Sequence, residues 1–285
     1  MSLLAAYILL PITSLGVIIN TTVLLYYRTL PSLSNPFGVL VANLAICDGL
    51  FCLVMLLFYC PMALLDSETM KDYMGLCAFF LNFSFEASIN IHFIIALNRF
   101  MAIFQPIHYK NYFNFPNARS LMIFIWIYST LLIILLNPIF CTYQYDSDTG
   151  FFKADLVSYC RYYAVYFGAS KTLLMEVLTA ILNLVTIIKL KCLKISKTRK
   201  SKEMTLVRQS VLQGFIFIIQ IVGSILPIKA NPVKSMVFYV LWSSIHMLDG
   251  LLTILCNNEF RQLVFKFPCS TSTNVITSSS LTDKV

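Results

Sequence analysis

The chain has 285 residues, of which 58% are hydrophobic and 12% charged, a balance that excludes ordinary soluble domains and disordered chains alike. Its formal net charge of +8 would suit a nucleic-acid partner only if the basic residues shared a polar face, and instead they punctuate long apolar blocks.

Those blocks have the length of about 20 residues that a helix needs to cross roughly 30 Å of hydrocarbon. The alternating segments of about 10 residues that would mark a barrel are absent. The expected fold class is therefore an all-α integral membrane protein, a seven-transmembrane helix bundle with a short amphipathic interfacial helix after the seventh span. Spans are predicted at Leu3–Tyr27, Gly38–Leu65, Leu76–Phe104, Ser120–Phe140, Tyr163–Leu190, Thr205–Ile228 and Pro232–Cys256. Nothing basic precedes the first block and no small-residue cleavage pattern follows it, so the first span reads as its own signal anchor.

Lysine and arginine choose the orientation. Arg28, Lys110, Arg119, the run Lys191, Lys194, Lys197, Arg199, Lys200 and Lys202, then Arg261, Lys266 and Lys284 lie on one set of connections. That side is expected to be cytoplasmic, with the N-terminus outside and the chain a multi-pass protein of the plasma membrane. The basic third inner loop suits anionic inner-leaflet lipid and also an acidic partner surface. Beyond the seventh span, Phe260, Leu263, Val264 and Phe267 fall at i, i+3, i+4 and i+7, the stripe of a helix lying along the interface. Cys269 ends it, either as a palmitoylation site or as an unmodified thiol. A seven-transmembrane unit over residues 1–268 is thus expected, followed by a Ser/Thr-rich cytoplasmic tail over 269–285 without a core pattern.

Polar residues within spans are costly, so they carry the information. They comprise Asn20 in NTTV, Asn43 and Asp48 in NLAICD, Arg99 and Pro106 in LNRFMAIFQPIHY, Trp126 and Pro138 in the fourth span, and DGLLTILCNNEFR in the seventh. In order and placement this set resembles the landmarks of rhodopsin-like G-protein-coupled receptors. NLAICD resembles the second-span motif, NRFMAIFQPIHY is similar to the DRY motif, and the seventh-span string resembles NPxxY with Asp249, Gly250 and Thr253 at its three positions. LNRFMAIFQPIHYKNYF, TLVRQSVLQGF, WSSIHMLDG and NNEFR look further like the nematode serpentine chemoreceptors of class X. The resemblance implies a sensory-neuron receptor for an external small molecule, coupled to a heterotrimeric G protein. It departs from the family at the fifth span, which has no proline, and at the sixth, where Pro227 stands near the outer end and only Gly214 and Gly223 remain as weak points.

The resemblance assigns Asn98, Arg99 and Phe100 to the G-protein interface; the other reading of Arg99, as an arginine whose stem runs along apolar surface to the boundary, is less favoured by its motif context. An amide at Asn98 cannot form the ion pair that a carboxylate would form with Arg99, which predicts a weaker resting lock. Asn20, Asn43, Asp48, Ser88, His246 and Asp249 are expected to form a polar core. Its two acids would share a proton, hold a cation such as sodium at Asp48, or be neutralised by a charged His246. A packing node and a switch stand as equal readings of it. Glu86 and Lys171 lie at comparable depth in neighbouring spans and are expected to pair. With Glu176 and the aromatics Phe83, Phe85, Tyr166 and Trp242 they would line a ligand pocket or, equally, form a static ion pair. The resemblance also implies a disulfide from Cys77 to Cys160, with Cys141 as competitor.

An ion-coupled transporter or ligand-gated channel subunit is the alternative, because buried acids also mark ion paths, but no internal repeat or filter-like loop supports it. Nor does an enzyme follow: His92, His108 and His246 lack metal-ligand spacing, no nucleophile motif accompanies them, and no cofactor is implied.

Overall fold

The computed structural model describes residues 2–140, 143–146, 150–154, 168–193, 204, 207, 211–215, 218 and 232–265. Six of the expected spans stand in it as helices: Leu3–Tyr26, Pro36–Leu65, Met74–Phe104, Phe115–Leu135 within a helix that continues to Phe140, Ala169–Cys192 and Pro232–Cys256. The sixth span, expected over 205–228, falls largely outside the described residues, although 211–215 are helical. Cys141, Cys160, Tyr166, Gly223, Pro227, Cys269, the tail and most of the basic third inner loop also lie outside them.

Span ends follow from local chemistry. Asn35 caps the second span by accepting from the Gly38 N–H, with Pro36 as its first helical residue. Within that span the turn Met55–Tyr59 is π-helical, and it immediately precedes Pro61. A proline there has no N–H to give and its ring crowds the preceding turn, so the helix widens rather than breaks. The fifth span shows the pattern of the whole bundle. Thr172, Glu176, Thr179, Asn183, Thr186 and Leu190 recur at intervals of three and four and are buried, while Leu174, Ile181, Leu184 and Ile188 are exposed. The polar stripe faces protein and the apolar faces are left to lipid.

Span 1 packs on spans 2 and 7, span 2 on span 3, and span 3 on span 5. The span 1 to span 7 contact is closest at Gly250, where a Cβ would lie 2.5 Å from Asn20 Oδ1 and 2.8 Å from Ile19 Cγ2. Gly250→Ala is expected to lower stability by about 1–3 kcal/mol through overpacking, a loss that a thermal melt of the purified protein measures.

Three short elements were not expected from the sequence: a helix at Glu68–Asp72, a helix at Pro106–Tyr112, and a hairpin in which Tyr143–Asp146 pairs antiparallel with Phe151–Ala154. The hairpin covers the end of the bundle where spans 2, 3 and 7 meet. Buried Phe151 stacks between Tyr59 at 5.2 Å and Tyr239 at 4.2 Å, and the Tyr59 hydroxyl donates to the Gly150 carbonyl at 3.1 Å. Lys71 lies 5.0 Å from the Tyr145 ring centre and bonds Asp66 and Glu68, both at 2.7 Å. Those hydrogen bonds, Asp66 first, hold its ammonium above the ordinary lysine range. At the other end the interfacial helix forms at Asn258–Phe265, with Phe260 buried in the core cluster of spans 1, 2 and 7 and Glu259 accepting from the Ser32 N–H at 2.9 Å.

Candidate functional site

Two acids and two histidines meet in the middle of the bundle. His246 Nδ1 lies 2.7 Å from Asp48 Oδ1, and the Ser88 hydroxyl donates to the same oxygen at 3.1 Å. His92 Nε2 lies 3.0 Å from Asp249 Oδ2. All five residues are buried. A proton lies on each imidazole–carboxylate contact whichever atom carries it, so each acid has its own partner. Each carboxyl thus has a histidine in direct contact, His246 at Asp48 and His92 at Asp249.

His92 is the member that sequence reasoning missed. Its signal was present, because it follows Ser88 by four residues and so shares that face of the third span. Asn20 joins the core through its amide, which donates at 3.0 Å to the carbonyls of Gly16 and His246, and so ties span 1 to span 7. Asn43 does not join it. Its side chain donates to the Val39 carbonyl at 2.8 Å and accepts from Trp126 Nε1 at 3.1 Å, on the side of span 4. Five residues along a helix turn the direction by about 140°, which is why Asn43 and Asp48 cannot face the same partner.

Toward the hairpin end, Lys171 Nζ donates to Glu86 Oε1, as expected, and the Asn90 amide donates to the same oxygen at 2.9 Å. The ammonium also lies 5.9 Å from the Tyr128 ring centre. Glu176 is buried to 1% exposure and neither of its oxygens has a hydrogen-bond partner among the described residues. Trp242 is buried against Phe51, Phe238 and Tyr239, and Phe85 meets it edge-on at 5.4 Å. Phe83, expected beside them, turns instead to Phe79 and to Trp126 at 5.4 Å. Among the described residues Cys77 stands as a free, buried thiol in the cluster that holds Tyr59, Met74 and Phe151, and its expected partners Cys160 and Cys141 lie outside them.

At the opposite end of span 3, Arg99 is 8% exposed with its guanidinium carbon 3.5 Å from the centre of the Phe37 ring. It lies across span 2 rather than reaching out to the boundary, held by the ring's negative face. The Asn98 amide donates to the Tyr109 hydroxyl at 3.3 Å, on the short helix that follows. Phe100 stacks on Phe104 at 4.4 Å, one turn along the same helix.

As to cofactors, no three His, Cys, Asp or Glu side chains converge as a metal site among the described residues. Asp48 Oδ2 and Asn20 Oδ1 border one narrow gap with Asp249, Gly250 and Thr253, and neither oxygen has a hydrogen-bond partner.

Residues 10–257 match the family described as the serpentine type 7TM GPCR chemoreceptor Srx. Serpentine receptor class X 45 of Caenorhabditis elegans is 26% identical over an alignment of 309 residues that covers 93% of this chain and 81% of the relative. Serpentine receptor class X-43 of the same nematode is 25% identical over 270 residues, covering 88% and 83%. Squid rhodopsin superposes with a TM-score of 0.74 at 16% identity over 92% of this chain and 83% of that one, a likeness of fold. With a seven-span bundle and a family match that runs over most of its length, this chain belongs to the Srx family of G-protein-coupled chemoreceptors.

Proposed function

We propose that the hairpin-covered half of the bundle takes up a small external molecule and that the opposite mouth, at Asn98, Arg99 and Phe100, engages a heterotrimeric G protein. In this reading the chain signals without chemistry on its ligand, with its N-terminus outside and its C-terminus in the cytosol of a sensory neuron. The observation that carries it is Arg99, a permanently charged side chain kept nearly buried over Phe37 at the end of a span, where only a modest movement of spans 2 and 3 separates it from a partner's carboxyl or carbonyl groups. Family membership favours this over the transporter or channel alternative.

A sodium ion at Asp48 would have to draw on Asp48 Oδ2 and Asn20 Oδ1, since Oδ1 of Asp48 is held by His246 and Ser88. We favour the imidazole as the group that satisfies this acid. If so, exchanging sodium for a larger organic cation leaves signalling unchanged.

The test is expression in a heterologous cell with a tag on residue 1, stained from the medium, and a second-messenger readout against volatile and soluble chemicals. A cytosolic tag, or a ligand-dependent current that persists without any G protein, would overturn the reading. Asn98→Asp in the same assay is expected to lower basal signalling several-fold, because a carboxylate beside Arg99 adds a charge-assisted contact to the resting arrangement. A baseline that is unchanged or higher removes the resting-lock argument.

A further inference from the structure

The middle and covered half of the bundle hold more acid than base. Asp48, Glu86, Glu176 and Asp249 are buried, and the bases that face them among the described residues are Lys171, His92 and His246. Each base is already committed: Lys171 to Glu86, His92 to Asp249 and His246 to Asp48. Even with every base charged, one carboxyl stays uncompensated, and geometry identifies it as Glu176. Both of its oxygens are buried with no hydrogen-bond partner among the described residues.

The neighbours explain why it stays so. Lys171 lies five residues earlier on the same helix, about 140° around it, and is held by Glu86 on span 3. Across from Glu176 stands Gly214, whose missing side chain would begin 3.6 Å from Oε2, and the adjacent Gln213 amide turns away to the Asp249 carbonyl at 3.5 Å. Among the described residues of the sixth span, 207, 211–215 and 218, none is ionisable. A buried carboxyl that accepts nothing costs several kcal/mol by general estimate, and it lies seven residues, roughly 10 Å, below the start of the helix at Ala169.

Resting on the reading of this half as the ligand-binding half, we propose that Glu176 is the anchor for a protonated amine, so that the receptor's ligands are small organic ammonium ions. An ammonium has three donors and no acceptor, which matches a carboxylate with two unused oxygens. Its alkyl portion would lie against Phe85, Met175 and Ile245, which pack together beside the site. Occupation bridges span 5 to the His92–Asp249 pair shared by spans 3 and 7, the elements whose relative movement reaches Arg99 at the other mouth.

The experiment uses the full-length receptor purified in nanodiscs at pH 7 and follows the thermal midpoint against increasing n-hexylammonium, with hexanol and hexanoate as matched neutral and anionic probes. The expected result is a saturable rise with hexylammonium alone, shifted at least about 10-fold to higher concentration in Glu176→Gln and restored in part in Glu176→Asp. Removing an unpaired buried charge does not unfold the protein, so Glu176→Gln without probe is expected to melt no lower than wild type. Equal responses to the three probes, or an equal response in Glu176→Gln, would overturn the proposal, as would reproduction of the rise by sodium chloride alone, which would make the occupant an inorganic cation. G-protein nucleotide exchange on the same sample separates the two readings. Amine binding without exchange leaves the anchor standing and removes the signalling role, whereas exchange driven only by non-amines keeps the receptor and removes the anchor.

Discussion

Asp48→Leu is expected to strip the receptor from the cell surface, and Asp48→Leu combined with His246→Phe to restore most of it. The single substitution leaves His246 Nδ1 and the Ser88 hydroxyl, both buried, without the acceptor they now hold at 2.7 and 3.1 Å. Breaking such a buried pair on one side costs about 3–5 kcal/mol, whereas replacing both partners by apolar groups of similar size is often neutral or better. Phenylalanine at 246 also keeps the ring that stacks on Phe51 at 4.0 Å. Surface staining and a thermal melt of each single variant and the double variant form a complete cycle. If the double variant is no more stable than Asp48→Leu, the pair contributes packing and not charge satisfaction. Should the double variant fold and fail to signal, the pair is part of the switch that the sequence left open.

Gly38→Ala is expected to be as damaging for a different reason. A Cβ at this position would stand 1.7 Å from the Leu33 carbonyl oxygen and 2.7 Å from its carbon. Those are backbone atoms of the turn that leads into span 2, and they cannot rotate aside as a side chain can. The turn is further pinned by the Asn35 cap and by Pro36. Relief therefore requires moving the start of the span, including Phe37, on which Arg99 lies. A loss of more than about 3 kcal/mol follows by the ordinary reckoning for overpacked backbone, together with altered coupling at the inner mouth. Gly49→Ala is the control: its nearest neighbour is Asn20 Cβ at 3.4 Å, an ordinary contact, and little change is expected. Equal surface expression of the two variants would show that the turn yields.

The spans were legible because lipid leaves the chain few options. The seventh was predicted at Pro232–Cys256 and stands there, and the first five differ at their described ends by a few residues where caps and prolines decide. The hairpin at residues 143–154 was missed although its strands, YQYD and FFKA, are rich in aromatics. Segments of four residues carry too little periodicity to separate a strand from a loop, and this one is held by Phe151 between two tyrosines that are distant in sequence. At the site, Glu86 with Lys171 and Ser88 with Asp48 were foreseeable from depth along adjoining helices. Asn43 and Phe83 were misassigned because depth says nothing about rotation, and His92 was missed although its spacing from Ser88 gives its face.

The sequence by itself determined that this chain crosses the membrane as helices, where those helices lie, and that its buried acids are costly without partners. Hydrocarbon thickness sets the length of a span, and the absence of water penalises an unsatisfied charge, so both conclusions need only composition along the chain. Only the tertiary structure decided which partners are taken: His246 for Asp48, His92 for Asp249, Lys171 for Glu86, and none among the described residues for Glu176. Pairing depends on how each helix is rotated against its neighbours, and that rotation is set by close contacts such as Gly250 against Asn20, which join residues far apart in the chain.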